Sequence, residues 1–209
     1  MTAPLIIIDH PLVQVRLARL RDAAASHAEF RQCVHAITRL MAYEITRDWE
    51  TQERKVQTPL TSTQGRELQR TPVLAPILRA GLGMLHGMLE VLPEARVAHI
   101  GMFRNEETKQ PESYYFRAPC GLDGADTVLL DPMLATGNSA AAAASQLREM
   151  GANRLRFACI IAAPEGVQRF HLAHPDIPVF TAALDAGLTS TAFITPGLGD
   201  AGDRYFGTV

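Results

Sequence analysis

From about residue 72 onward the chain repeats one pattern: a short uninterrupted apolar run, a turn containing glycine, then a stretch of helical length. The runs are "VLAPIL", "RVAHIGMF", "TVLL", "LRFACIIAA" and "VFTAAL". A strand apolar at every position, rather than at alternate ones, is buried on both faces, and such strands occur in parallel sheets with helices on either side. The segments "MLHGMLEVL", "SAAAAASQLREM" and "PEGVQRFHLAHP" supply those helices. The pattern predicts an α/β fold with a central, mainly parallel sheet. In open sheets of this kind ligands sit beyond the carboxyl ends of the strands. Attention therefore falls on "RAGLG" at 79–83, "RNEET" at 104–108, "DPMLATGNS" at 131–139 and "TPGLGDAGDRYFGT" at 195–208.

Ahead of this region, Val13, Leu17 and Leu20, then Phe30, Val34, Ile37, Met41 and Ile45, recur at the three-and-four spacing of one helix face. Two amphipathic helices are expected to open the protein, making residues 1–50 a helical addition. No linker, charge block or internal repeat divides the 209 residues, and a 47% hydrophobic composition suffices for one core, so a single domain over 1–209 is expected. The formal net charge is −2 and the basic residues are scattered, which argues against nucleic acid as a partner. The apolar run in "MTAPLIIID" is too short for a signal peptide, and no stretch reaches the roughly 20 apolar residues of a membrane span, so a cytoplasmic location without membrane contact is expected. Cys33, Cys120 and Cys159 form no Cys-x-x-Cys pair and read as reduced, structural residues.

The stretch 131–139 carries the most chemistry. Asp131 closes a strand, Pro132 is expected to end the ladder for want of an amide hydrogen, and Thr136, Gly137, Asn138 and Ser139 lead into five alanines. A helix N-terminus leaves backbone N–H groups unpaired and carries about half a positive charge, which suits a phosphate. Gly137 permits close backbone approach and the two hydroxyls add donors. A carboxylate at the strand end repels phosphate but accepts from sugar hydroxyls, so the combination suggests a phosphorylated ribose. An ordinary N-cap, with Thr136 or Ser139 capping and Asp131 forming a turn, fits the same residues. A nucleoside-triphosphate P-loop is excluded, because neither Lys55 nor Lys109 follows a glycine. The Gly-x-Gly-x-x-Gly match at 197–202 is accidental, since only "DRYFGTV" follows it.

In "VLLDPMLATGNS" the chain resembles the phosphoribosyl pyrophosphate (PRPP) loop of type I phosphoribosyltransferases, in the Asp-Pro version of the uracil phosphoribosyltransferase family. The resemblance extends through "HPLVQVRLARLRD", "PILRAGLGM", "HIGMFRNEET", "AAPEGV", "AHPD" and "PGLGDAGDRYFGT". It implies a type I phosphoribosyltransferase fold that converts uracil and PRPP to UMP and pyrophosphate, with a C-terminal uracil-binding segment over 185–209. It assigns PRPP to Asp131, Pro132, Met133, Leu134, Ala135, Thr136, Gly137, Asn138 and Ser139, with Arg79 and Arg104 toward pyrophosphate and Asp200 nearby. Uracil falls to Ile194, Gly199, Asp200 and Ala201. Asp200 is the candidate base for the uracil N1 proton, and Arg104 the candidate stabiliser of the leaving group. With Pro132 in place of a second acid, magnesium is expected to arrive on PRPP, and no protein metal site is expected. The resemblance also implies a homo-oligomer, dimer or tetramer, and raises GTP as an effector.

Two positions depart from the family pattern: Asn138 stands where a second glycine is usual, and His86 where an aspartate is usual. Asn tolerates left-handed backbone angles, which would keep the loop intact. His171 and His174 have a His-x-x-His spacing without a third ligand and read as solvated histidines. Tyr114, Tyr115 and Phe116 read as a strand or a flap over the site. The rival functions are a PRPP-sensing regulator without catalysis, and a phosphoribosyltransferase for another nucleobase.

Overall fold

The computed structural model describes residues 3–104 and 111–208, with Arg104 and Pro111 described by backbone alone. The chain opens with an edge strand, β1 (Leu5–Ile7), so the N-terminal part is not wholly helical as its spacing suggested. Helices α1 (Pro11–Arg21) and α2 (His27–Ile45) follow, the first entered through Pro11 and the second through a reciprocal capping box between Ser26 and Glu29. Next come the strands β2 (Thr51–Gln57) and β3 (Ser62–Leu68), paired antiparallel along their whole length.

The sheet proper begins at β4 (Pro72–Leu78) and α3 (Gly81–Leu89), then β5 (Arg96–Val97), β6 (His99–Arg104) and β7 (Pro111–Arg117). The strands β8 (Asp126–Leu130) and β9 (Met133–Leu134) precede α4 (Asn138–Glu149). They are followed by β10 (Arg154–Ala162), α5 (Pro164–Ala173) and β11 (Val179–Leu184). A two-stranded ribbon, β12 (Gly187–Leu188) with β13 (Ile194–Thr195), and the short helix α6 (Ala201–Phe206) complete the fold.

The main sheet runs β1-β11-β10-β8-β4-β6-β7 and is parallel except for the β6–β7 pair. Tyr114, Tyr115 and Phe116 are thus part of an antiparallel strand, β7. Leu74, Val128, Leu130, Ala158, Ile160 and Phe180 join α1, α2, α3 and α6 in one core. Their strand neighbours Val73, Leu129, Phe157, Cys159 and Val179 pack under α4 and α5. Both faces are buried, which is why the strand sequences lack alternation. The pentad Ala140–Ala144 lets α4 lie close to the sheet, and four of its five members are buried.

Two sequence readings change here. Cys120 is exposed while Cys33 and Cys159 are buried, so only the latter two pack as core residues. His174 is not solvated: it is buried, with Nε2 2.9 Å from the Ala141 carbonyl and 3.2 Å from the Ser145 hydroxyl, and it ties α5 to α4. Among the described residues, no helix is long and apolar enough to cross a membrane.

Candidate active site

The strand ends of β4, β8, β10 and β11 lie along one edge of the sheet, and the turn at 131–139 occupies its middle. Pro132 does not end the ladder. Its carbonyl accepts from the amides of Ile160 and Ile161 at 3.0 and 3.1 Å, and pairing with β10 resumes at Met133 and Leu134. Proline removes a donor, but the partner strand here needs only its acceptor. The chain then leaves the sheet through Ala135 and Thr136 and turns at Gly137, whose φ of 78° is left-handed. A Cβ at Gly137 would stand 2.5 Å from the Gly166 carbonyl oxygen, and one at Gly166 2.3 Å from the Ala135 carbonyl oxygen. The first turn of α5 is thus pressed against this loop, and no side chain fits at either position.

Asn138 already has helical geometry and the left-handed residue is Gly137, so the tolerance of asparagine for left-handed angles is not called upon. The Asn138 side chain instead accepts from Arg169 Nε at 3.0 Å. No side chain caps α4, so neither Thr136 nor Ser139 serves as the N-cap that the sequence left open. The first intrahelical bond runs from Ala141 to the Gly137 carbonyl at 2.9 Å, leaving the amides of Asn138, Ser139 and Ala140 ahead of it. Ser139 and Ala140 also line a hollow of ≈ 90 Å³, together with Asp131, Met133, Leu134, Ala135, Thr136 and Gly137. That is the size for one small anionic group, not a whole nucleotide. A larger hollow of ≈ 270 Å³ between α1 and α2 lies away from the strand ends.

Asp131 stands at the inner wall of the hollow. Burial pushes its carboxyl up to about 7; the Met133 amide, 3.3 Å from Oδ1, pulls the other way, and the charge of Asp200 adds to the rise. Asp200 is thus near enough for its charge to be felt at Asp131. Among the described residues, no group of three His, Cys, Asp or Glu side chains converges as a metal site would require. Two carboxylates, one of them disfavoured as an anion, suit an ion that brings most of its own oxygen ligands.

The segment 194–203 forms the opposite wall. The Thr195–Pro196 peptide is cis, and Gly197 and Gly199 take φ of 64° and 77°. Ile194 is 7% exposed and Ala201 1%, so both support this wall from the core and offer a ligand mainly their backbone. Asp200 caps α6, Oδ1 accepting from the Asp203 amide at 2.9 Å. Beneath the loop lies a part-buried ion pair that sequence reasoning missed. Arg21 donates to both carboxylate oxygens of Asp185 at 2.5 and 2.7 Å and to the Gly197 carbonyl at 2.7 Å. Asp185 in turn accepts from the Gly197 amide at 3.0 Å. The partners are 164 residues apart, so no local pattern announces them. Arg204, also missed, donates to the carbonyls of Leu20, Leu198 and Asp22 and seats α6 on the α1–α2 corner.

Arg79 follows β4 across a cis Leu78–Arg79 peptide. Its side chain is 59% exposed, with Nη2 3.6 Å from Asp203 Oδ1 and Cζ 5.8 Å from the Phe206 ring centroid. Gly81, two residues on, approaches so closely that a Cβ there would lie 2.5 Å from the Leu130 carbonyl oxygen, which packs the start of α3 on the end of β8. The structure thus gathers Asp131–Ser139, Arg79, Asp200, Ala201 and Ile194 around one edge. Arg104 ends β6, but its side chain, with Glu106 and Glu107, lies outside the described residues.

An open parallel sheet with this turn at its midpoint is the type I phosphoribosyltransferase fold, and a hypoxanthine-guanine phosphoribosyltransferase from Bacillus anthracis superposes with a TM-score of 0.51 at 10% identity, covering 76% of this chain and 80% of that one. A protein of Aquifex aeolicus, AQ2163, matches far more completely, with a TM-score of 0.93 at 34% identity over 97% of this chain and 98% of that one. The family profile described as uracil phosphoribosyltransferase matches residues 7–208. Proteins named uracil phosphoribosyltransferase are similar along 97% of both chains, at 50% identity in Sinorhizobium fredii and 48% in Ligilactobacillus salivarius. The chain belongs to the uracil phosphoribosyltransferase family.

Proposed function

We propose that the protein transfers the phosphoribosyl group of PRPP to uracil, releasing UMP and pyrophosphate. One observation carries the reading: α4 begins at a left-handed glycine with no room for a side chain, its leading amides uncapped, and a strand-end carboxyl beside them. The amides of Asn138, Ser139 and Ala140, with the hydroxyls of Thr136 and Ser139, hold the 5′-phosphate. Asp131 accepts from the ribose hydroxyls. Donors aimed at its oxygens favour the charged form, so binding offsets the burial that raises it.

The new bond joins uracil N1 to the anomeric carbon while the bond from that carbon to the pyrophosphate oxygen breaks. Arg79 and Arg104 stabilise charge on the departing pyrophosphate; one preorganised donor of this kind is worth roughly 3 kcal/mol in rate. Magnesium would be held mainly by PRPP oxygens, with Asp131 and Asp200 as the neighbouring carboxylates, and would add neutralisation of the pyrophosphate. Asp200 takes the N1 proton, directly or through water. Its Oδ1 is engaged in the α6 cap, which fixes the carboxylate and leaves Oδ2 for the transfer. The backbone of 197–202 pairs with the uracil carbonyls and N3–H; cytosine presents the wrong pattern and leaves buried groups unpaired.

Incubation of the protein with labelled uracil, PRPP and magnesium, beside cytosine and hypoxanthine, tests the reading. UMP from uracil alone supports it. Product from hypoxanthine would move the assignment to another base, and PRPP binding without any product would make the protein a sensor.

A further inference from the structure

The helix that carries Asp200 at its cap is only six residues long, and its last turn is held by an unusual contact. Tyr205 is 6% exposed, and its ring lies against Gly83, where a Cβ would stand 2.6 Å from a ring carbon. Its hydroxyl meets two imidazoles: His35 Nε2 of α2 at 2.8 Å and His86 Nδ1 of α3 at 3.1 Å. The two imidazole rings are 5.6 Å apart, edge to face. Arg31 donates to the Tyr205 carbonyl at 2.6 Å and stacks on its ring. Three helices thus meet at one phenolic oxygen.

We propose that Tyr205 is a positioning residue for the base-binding loop, its hydroxyl clamped between His35 and His86, and that protonating both imidazoles opens the clamp. This rests on the proposed function, because the loop seated by α6 is the one assigned to uracil. A phenol has one hydrogen to donate. With at most one imidazolium in the pair, one ring gives N–H to the oxygen and the other can receive the phenolic hydrogen. With both protonated, two N–H groups face one oxygen, the phenolic hydrogen loses its acceptor within a buried contact, and two cations lie side by side. The other charges around the pair are mostly of the same sign: Arg31 and Arg39 on α2 oppose protonation of His35, and among the described residues Glu90, following α3, favours it.

Burial first, then the charge of His86, holds His35 below the ordinary imidazole value of 6.5, so it is neutral at neutral pH and the clamp is complete there. As pH falls below about 6.5 the unfolded or released state takes up the proton more readily, and the clamp is lost as pH passes through the depressed value. Release would be felt at both substrates, because α6 holds Asp200 as its N-cap and reaches Arg79 through Asp203 and Phe206.

Kinetics on the full chain tests this. Tyr205→Phe keeps the ring on Gly83 but removes the bridge, and the uracil KM should rise about fivefold at pH 8, the factor a single net hydrogen bond carries, with kcat less affected. In the wild type the uracil KM should be flat above pH 7 and climb as pH falls below about 6.5. PRPP itself has a phosphate that titrates near 6, so the wild-type profile alone does not decide. His86→Asn does, since its amide oxygen can accept the phenolic hydrogen and cannot become a cation: its uracil KM should stay flat where that of the wild type climbs. Titration of the His35 ring by NMR should give a value below 6.5 that moves upward in His86→Asn. Wild-type turnover with a pH response shared by both variants, or a His35 that titrates normally, overturns the clamp. Absence of UMP formation by the wild type at every pH overturns instead the function on which it rests.

Discussion

Replacing Asp131 by Asn should stabilise the ligand-free protein at high pH while impairing it as an enzyme. The native carboxyl is raised from 3.8 to about 7, chiefly by burial. Between those values the folded state holds a proton that the unfolded chain has lost, so stability declines as pH rises through this window and the decline is complete above about 7. Three units at about 1.36 kcal/mol each set a ceiling of about 4 kcal/mol. The residue is only half-buried, and water that reaches the charged carboxylate brings the expected figure to about 2 kcal/mol. Asn has the shape of the protonated acid and no charge to desolvate, so it escapes the whole of this cost. For a chain of this length, about 2 kcal/mol corresponds to roughly 4–8 °C in Tm. Calorimetry on both proteins without ligand should therefore show nearly equal Tm at pH 4 and a gap of that size in favour of Asp131→Asn at pH 8. A gap that does not change with pH would refute the reasoning, because the advantage would then owe nothing to ionisation. The same exchange gives up acceptors for the ribose hydroxyls, so PRPP binding should weaken as the fold gains stability.

Other outcomes follow from the two walls of the site. Asp200→Asn keeps the α6 cap, since asparagine caps as well as aspartate, yet turnover should fall about 10²-fold or more if the carboxylate takes the uracil proton; wild-type turnover removes that role. Asp185→Ala strands the Arg21 guanidinium and the Gly197 amide, and should cost about 2–3 kcal/mol in urea unfolding, below the full value for a buried pair because Arg21 is 23% exposed. Asn138→Gly retains the uncapped backbone amide at the start of α4 and loses only the Arg169 contact, so apparent PRPP affinity from initial rates should stay within about twofold.

Much of the fold was legible because its strands are apolar on both faces and its long helices are not: the runs around Leu74, Val128, Phe157 and Val179 became the sheet, and the periodic residues of α1 and α2 became its cover. The hairpin β2–β3 escaped notice for the opposite physical reason. Every residue of β2 is exposed, and β3 buries none fully, so neither strand has an apolar face to betray a period of two. It is held by polar cross-strand contacts, Gln52 to Glu67 at 2.9 Å and Arg66 to Thr51 at 3.0 Å. Within the site, the turn at 131–139 could be read because a helix start, a glycine and a carboxylate adjoin in sequence. Arg21, Asp185 and Gly166 could not, since each acts on a segment far along the chain. Pro132 misled because its missing donor was weighed and its carbonyl, which takes two amides, was not.

The close contact of Gly166 with the 131–139 turn has a mechanical corollary. One residue earlier on the same helix, Glu165 accepts from the Leu188 amide at 3.2 Å, and Leu188 is paired with Ile194. A single brace therefore joins the region assigned to the sugar phosphate to the ribbon assigned to the nucleobase, so neither half can drift without dragging its counterpart. An insertion at the head of α5 should disable both halves together, whereas a chain break in the 58–61 bend of the outlying hairpin should spare them.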